Sequence, residues 1–164
     1  MSVMRRKDKE FTEKVIIEEI FRENSVGRLG TAAEGNPYVV PMNFAYISDK
    51  IYLHTHKEGK KIRDIQKNPR VCFEVDAGEI ITGEKPCGFS GKYKSAIACA
   101  RAKAEIVESR EERIKALKLI SDKYAFGKSK LITPDLVEKF SQLWIIRIDI
   151  DQMTGKQSPV KQLQ

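Results

Sequence analysis

The chain has little with which to staple or anchor itself. Its three cysteines, Cys72, Cys87 and Cys99, are odd in number, far apart and form no CxxC. Neither a disulfide framework nor a zinc ribbon is indicated. No apolar run approaches the roughly 20 residues of a membrane-spanning helix. The opening MSVMRRKDKE lacks the apolar segment of a secretory signal. These absences lead to the expectation of a cytoplasmic protein with no membrane partner. Internal repeats and low-complexity tracts are missing as well. Tryptophan occurs once and histidine twice, so any chemistry resting on those side chains has few candidates.

What is present is charge. The 164 residues are 32% charged and 41% hydrophobic, the balance of one globular domain with a full core. The net charge is +7, which invites a nucleic-acid reading. Residues 54–70, however, hold six basic and two acidic residues, net +4. More than half of the excess is therefore local, which suits one small anion better than a long polyanion track. A small barrel binding nucleic acid would want aromatics interleaved with lysines on strands. Here the lysines lie in a turn, so no nucleic-acid partner is expected.

Residues 51–75 organise the rest. Ile51 and Leu53 alternate with Tyr52 and His54, as on a strand with two different faces. Gly59 breaks the strand, and 60–68 reads as a helix with Ile62 and Ile65 on one side, stopped at Asn68-Pro69. Lys57, Lys60, Lys61 and Arg63 crowd the helix start. Free N–H groups already make that end positive, so cations there are unfavourable unless an anion sits among them. A phosphate would convert the fault into a site. The plainer alternative is a set of solvated lysines.

Elsewhere, a helix is expected over 9–23, with Phe11, Val15, Ile16, Ile20 and Phe21 as its apolar positions. Strands are expected at 26–32 and 38–46, and Pro41 would confine the second to a sheet edge or a bulge. Further strands are expected at 51–55, 71–75, 89–107 (as a pair or one bent strand) and 144–150. Ser109 opens a helix to about Tyr124 as a capping box, and Thr133-Pro134 opens another with Leu136, Val137 and Phe140 buried. Residues 1–9 read as a basic N-terminal arm, 10–155 as the domain and 156–164 as a polar C-terminal tail, with 153–164 loose. The expected fold class is mainly β (α+β): a six-stranded antiparallel split β-barrel with short flanking helices.

The ordered set Val26-Gly27-Arg28-Leu29-Gly30-Thr31, Pro37-Tyr38-Val39-Val40-Pro41-Met42-Asn43-Phe44, residues 51–61 and Asn68-Pro69-Arg70-Val71 resembles the pyridoxamine 5′-phosphate oxidase-like split-barrel superfamily, in its nitroimidazole-reductase-like branch. The resemblance covers roughly residues 10–155. It implies FMN as cofactor, held at the interface of a homodimer. It puts His54 and Thr55 on the phosphate side of the flavin, with Lys60 and Lys61 as the paired basic residues. Pro41, Met42, Asn43 and Phe44 would run along the ring. Lys94 and Ser95 would be offered by the partner subunit, and Trp144 and Arg147 lie in the closing strand. The terminal IDIDQMTGKQSPVKQLQ lacks the arginine motif of true vitamin-B6 oxidases, so that activity is not expected.

The resemblance implies an FMN-dependent oxidoreductase passing electrons from NADH or NADPH to a small acceptor such as a nitroaromatic or a quinone. The alternative is a non-catalytic FMN-binding or redox-sensing protein. His54 is the candidate catalytic proton donor, with a free pKa near neutrality; otherwise it only hydrogen-bonds phosphate or backbone. His54 and His56 share a strand face, but the sequence points to no third ligand, and no metal site is expected. Trp144 is either a cofactor stack or an anchor between helix and barrel.

Overall fold

The computed structural model describes residues 5–82, 89–98 and 102–158, with side chains left aside at 81, 82, 89–92 and 94–98. A short 3-10 turn (Lys7–Lys9) leads into β1 (Glu10–Phe11) and α1 (Lys14–Glu23). Then come β2 (Gly27–Ala33), β3 (Asn36–Met42), β4 (Ala45–Ile47), β5 (Lys50–His56), α2 (Lys60–Lys67), β6 (Val71–Thr82) and β7 (Phe89–Ala98). The chain continues through β8 (Lys103–Ile106), α3 (Arg110–Tyr124), α4 (Pro134–Lys139), β9 (Leu143–Asp149) and β10 (Thr154–Gln157). The strands form two antiparallel sheets, a larger one ordered β1-β10-β7-β6-β2-β3 and a smaller one ordered β4-β5-β9-β8. The expected split-barrel, mainly β class holds, although the described residues form more than the six strands expected.

One core lies between the sheets. Leu29, Phe73 and Val75 meet Ile51, Leu53, Ile146 and Ile148 there, together with Ile17, Ile20 and Phe21 of α1 and Ile62 and Ile65 of α2. The rings of Phe44 and Phe73 meet edge-on at 5.1 Å, and Phe21 stacks on Tyr46 at 5.2 Å. Gly27 exists for this packing, since a Cβ there would fall 2.2 Å from the Phe73 ring. A second, smaller cluster (Ala45, Tyr52, Val107, Ala116, Ile120 and Ile145) lies under α3 on the opposite face of the smaller sheet.

The caps read from the sequence are present. Ser109 Oγ accepts from the Glu112 amide at 3.4 Å, and Thr133 Oγ1 from the Leu136 amide at 3.3 Å. Pro41 lies in β3, an edge strand, where its missing N–H costs no ladder bond. Five expectations change. The first helix starts at Lys14, because Phe11 is taken by pairing with Gly155 of β10. The segment expected to be loose after 153 is instead β10, clamped between β1 and β7. The strand expected over 38–46 is two strands in different sheets, the chain crossing between them at Asn43-Phe44. Val15, on the expected apolar stripe, and Phe140, expected to be buried, are 74% and 51% exposed. Cys72 takes part in a disulfide, which the scattered cysteines had not indicated.

Candidate functional site

The start of α2 is bare. Gly59 precedes it at φ 137°, ψ 167°, a backbone conformation essentially restricted to glycine, and no side chain caps the first turn. The first turn carries no acid. Ile62 and Ile65 fasten the helix to the core, so its N-terminal amides are held in place at the corner. Among the described residues, Lys57, Lys61 and Arg63 have no ion-pair partner. Lys60 does: its Nζ lies 3.0 and 2.9 Å from the two oxygens of Asp64. Asp64 is buried and accepts from Thr31 Oγ1 of β2 at 2.8 Å. The Lys60 hydrogen bonds lead in holding the Asp64 carboxyl below its ordinary pKa, with Thr31 adding to them.

Some of the segments expected from the sequence lie near one another here. Tyr38 of β3 places its ring 5.3 Å from Lys60 Nζ. Ala45 stands opposite Tyr52, so Asn43 and Phe44 lie toward the end of β5 that carries His54 and Thr55. Thr55 is buried, donates to the His56 carbonyl at 3.2 Å and pairs with Trp144. Trp144 is partly buried against the main core. Pro41 and Asn43 are exposed and Met42 is partly buried against the core. Asn43 Nδ2 donates to the Ser25 carbonyl at 3.2 Å.

Two expected positions are turned elsewhere within the subunit. The Phe44 side chain is fully buried in the core. Its amide donates to the Tyr124 hydroxyl at 2.8 Å, and its carbonyl accepts from that hydroxyl at 2.9 Å. His54 cannot share a surface with Thr55, because neighbouring strand residues face opposite sides. It stands opposite Ile145, on the α3 side of the sheet. Its ring is exposed, yet partial desolvation pulls its pKa below the ordinary value, so it is largely neutral at pH 7. His56 Nδ1 accepts from the Glu58 amide at 3.2 Å. Lys94 and Ser95 lie in β7, where Ser95 pairs with Asp76 on one side and Lys156 on the other; their side chains lie outside the described residues.

Sequence reasoning missed Asp64, Thr31 and Tyr38. The i, i+4 spacing of Lys60 and Asp64 was visible in the sequence; the contributions of β2 and β3 were not. Among the described residues no group of three or more His, Cys, Asp or Glu side chains could hold a metal ion, and no helix is long and apolar enough to cross a membrane.

Several solved structures share the fold. A candidate 5-nitroimidazole antibiotic resistance protein from Bacteroides thetaiotaomicron is 32% identical with a TM-score of 0.72, over 90% of this chain and 85% of that one. An FAD-binding protein from Mesorhizobium loti is 25% identical with a TM-score of 0.61, over 89% and 95%. The flavocytochrome from Azotobacter vinelandii superposes with a TM-score of 0.79 over 95% and 72%, at 16% identity, and so shares the fold alone. None of the curated proteins matches the chain. Residues 13–157, nearly the whole domain, match the pyridoxamine 5′-phosphate oxidase family, and the chain belongs to that family.

Proposed function

We propose that the chain is a flavin-binding oxidoreductase whose FMN places its phosphate at the start of α2. The observation that carries this reading is that helix start itself: uncapped, free of acid in its first turn and surrounded by cations. The donor set fits a phosphate monoester dianion, since first-turn amides and flexible ammonium groups both favour concentrated negative charge. The names of two relatives, an FAD-binding protein and a candidate nitroimidazole resistance protein, support the same class.

Bound flavin would supply hydride transfer from NADH or NADPH to a small acceptor such as a nitroaromatic or a quinone. The chain's own part is to bind and orient. Lys61 and the amides of the first turn of α2 balance the phosphate, with Lys60 beside them. Pro41, Met42 and Asn43 offer an edge-strand backbone along which a planar ring can lie, and Asn43 adds an amide within reach of it. Thr55 and Trp144 hold the end of β5 against β9 and so fix the corner. Lys94 and Ser95 are assigned to the cofactor of a second copy of the chain, which makes the working unit a homodimer. His54 is given no proton-transfer step, because it faces the α3 side and is largely neutral. That placement favours one second reading, a flavin-binding protein without turnover.

The test is the visible spectrum of the purified protein. A flavin spectrum, with FMN identified by mass after release on heating, is the expected result. Protein that stays colourless after dialysis from excess FMN overturns the assignment. Steady-state NADH or NADPH oxidation with a nitroaromatic or quinone acceptor then separates the enzyme from the non-catalytic binder.

A further inference from the structure

The two lysines that begin α2 are neighbours in sequence but not in circumstance. The Lys60 ammonium is drawn one turn along the helix to Asp64, bonding both carboxylate oxygens. A lysine four residues before its acid is the weaker order for such a pair, because both charges then oppose the helix dipole. The helix alone therefore does not favour this contact. The larger sheet supports it: Thr31 of β2 fixes the carboxylate at 2.8 Å and Tyr38 of β3 takes the ammonium near its ring at 5.3 Å. Asp64 is only 5% exposed, while the Lys60 side chain keeps 39% of its surface open to water, so the carboxylate is the fixed member of the pair. Lys61 has no ion-pair partner among the described residues, and the uncapped amides lie beside it.

We propose that Asp64 is a positioning residue that competes with the cofactor's phosphate for Lys60 and leaves Lys61 as the principal counter-charge. The proposal rests on the flavin reading above. It makes the corner a deliberately weakened phosphate site, in which one of two available lysines is held back by the fold. Affinity for a phosphorylated flavin is then set below what the pair could reach.

Titrating the full-length protein with FMN and with riboflavin, which lacks the phosphate, isolates this effect. Asp64→Asn is expected to tighten FMN by about three- to tenfold while riboflavin changes by less than about twofold, since a released ammonium acts on the phosphate alone. In the wild-type background, Lys61→Gln should weaken FMN at least about tenfold, and Lys60→Gln several-fold less. In the Asp64→Asn background the Lys60→Gln loss should grow until it matches that of Lys61→Gln, a coupling that a double-mutant cycle reads directly. Weaker FMN binding in Asp64→Asn, or equal losses at the two lysines in wild type, overturns the proposal. The lysine comparison leaves Asp64 untouched and decides the matter even if Asp64→Asn does not fold. Wild-type protein that binds neither flavin removes the flavin reading and this proposal together; FMN binding with the wrong pattern of losses removes only this one.

Discussion

Two charged regions of the molecule are built on opposite plans. Around Arg147 of β9 every charge is answered. Its guanidinium reaches Asp149 at 2.8 Å, Glu112 of α3 at 3.0 Å and Glu105 of β8 at 2.6 Å. Glu112 also accepts from the Tyr52 hydroxyl at 2.8 Å, and Asp149 accepts from Lys50 at 3.0 Å. The network fastens α3 to the smaller sheet, and the Asp149 hydrogen bonds lead in holding Arg147 above its ordinary pKa. At the start of α2 the cations outnumber the acids, and among the described residues only Lys60 is paired there. The first region spends its charge on holding the fold together. The second leaves charge over, at a helix end where surplus positive charge is unfavourable without an anion.

That contrast can be broken from either side. The largest effect should come from the surplus region. Lys61→Ala is expected to cost about 1.5–3 kcal/mol of FMN affinity, the worth of one charge-assisted contact, while thermal unfolding of the cofactor-free protein stays where it was. A matching loss of melting temperature would mean that the lysine serves the fold. Arg147→Met should do the reverse. It leaves three carboxylates facing one another and is expected to cost about 1–3 kcal/mol of stability, read by denaturant unfolding. If stability were unchanged, the network would be ornamental.

Gly59→Ala tests whether the corner itself is strained. At φ 137° the alanine must distort the turn even though nothing crowds its Cβ, for about 1–2 kcal/mol. That loss should show in stability and weaken FMN, because the helix start moves with the turn.

The smallest expected effect is in pH dependence. Lys123 donates to the Phe21 carbonyl at 3.0 Å and lies 3.7 Å from the Phe44 ring centre. Burial lowers its pKa from 10.5 to about 8. The unfolded chain therefore binds more protons between those values, and stability should rise with pH across the window. Above pH 10 the tyrosines oppose the rise: burial raises the folded pKa of Tyr46 and Tyr52, so the unfolded chain ionises first. Melting temperatures from pH 7.5 to 10 should climb more steeply in wild type than in Lys123→Met; equal slopes would remove Lys123 as the cause.

Local signals carried much of this far. The α2 helix, its Pro stop, its buried Ile62 and Ile65 and its crowd of cations follow from spacing and charge alone. So do both helix caps and the edge position of Pro41, because each is decided within a few residues. The failures share one cause. Phe11 fits a helical stripe yet pairs with Gly155, far along the chain, and 153–157 has strand structure only because β1 and β7 flank it. The His54–Thr55 pair came from the family resemblance and not from any local signal, and the two-residue period of a strand gives its side chains opposite faces.

By its order of residues alone, the chain determined that a positive helix start would follow a glycine at a strand end, since propensity, turn chemistry and charge act over short distances. Only the tertiary structure decided which of the lysines there is paired. That choice depends on Thr31 and Tyr38, brought to α2 from strands about 30 and 20 residues earlier by burial of the shared core, and no local rule records who a side chain's distant neighbours will be.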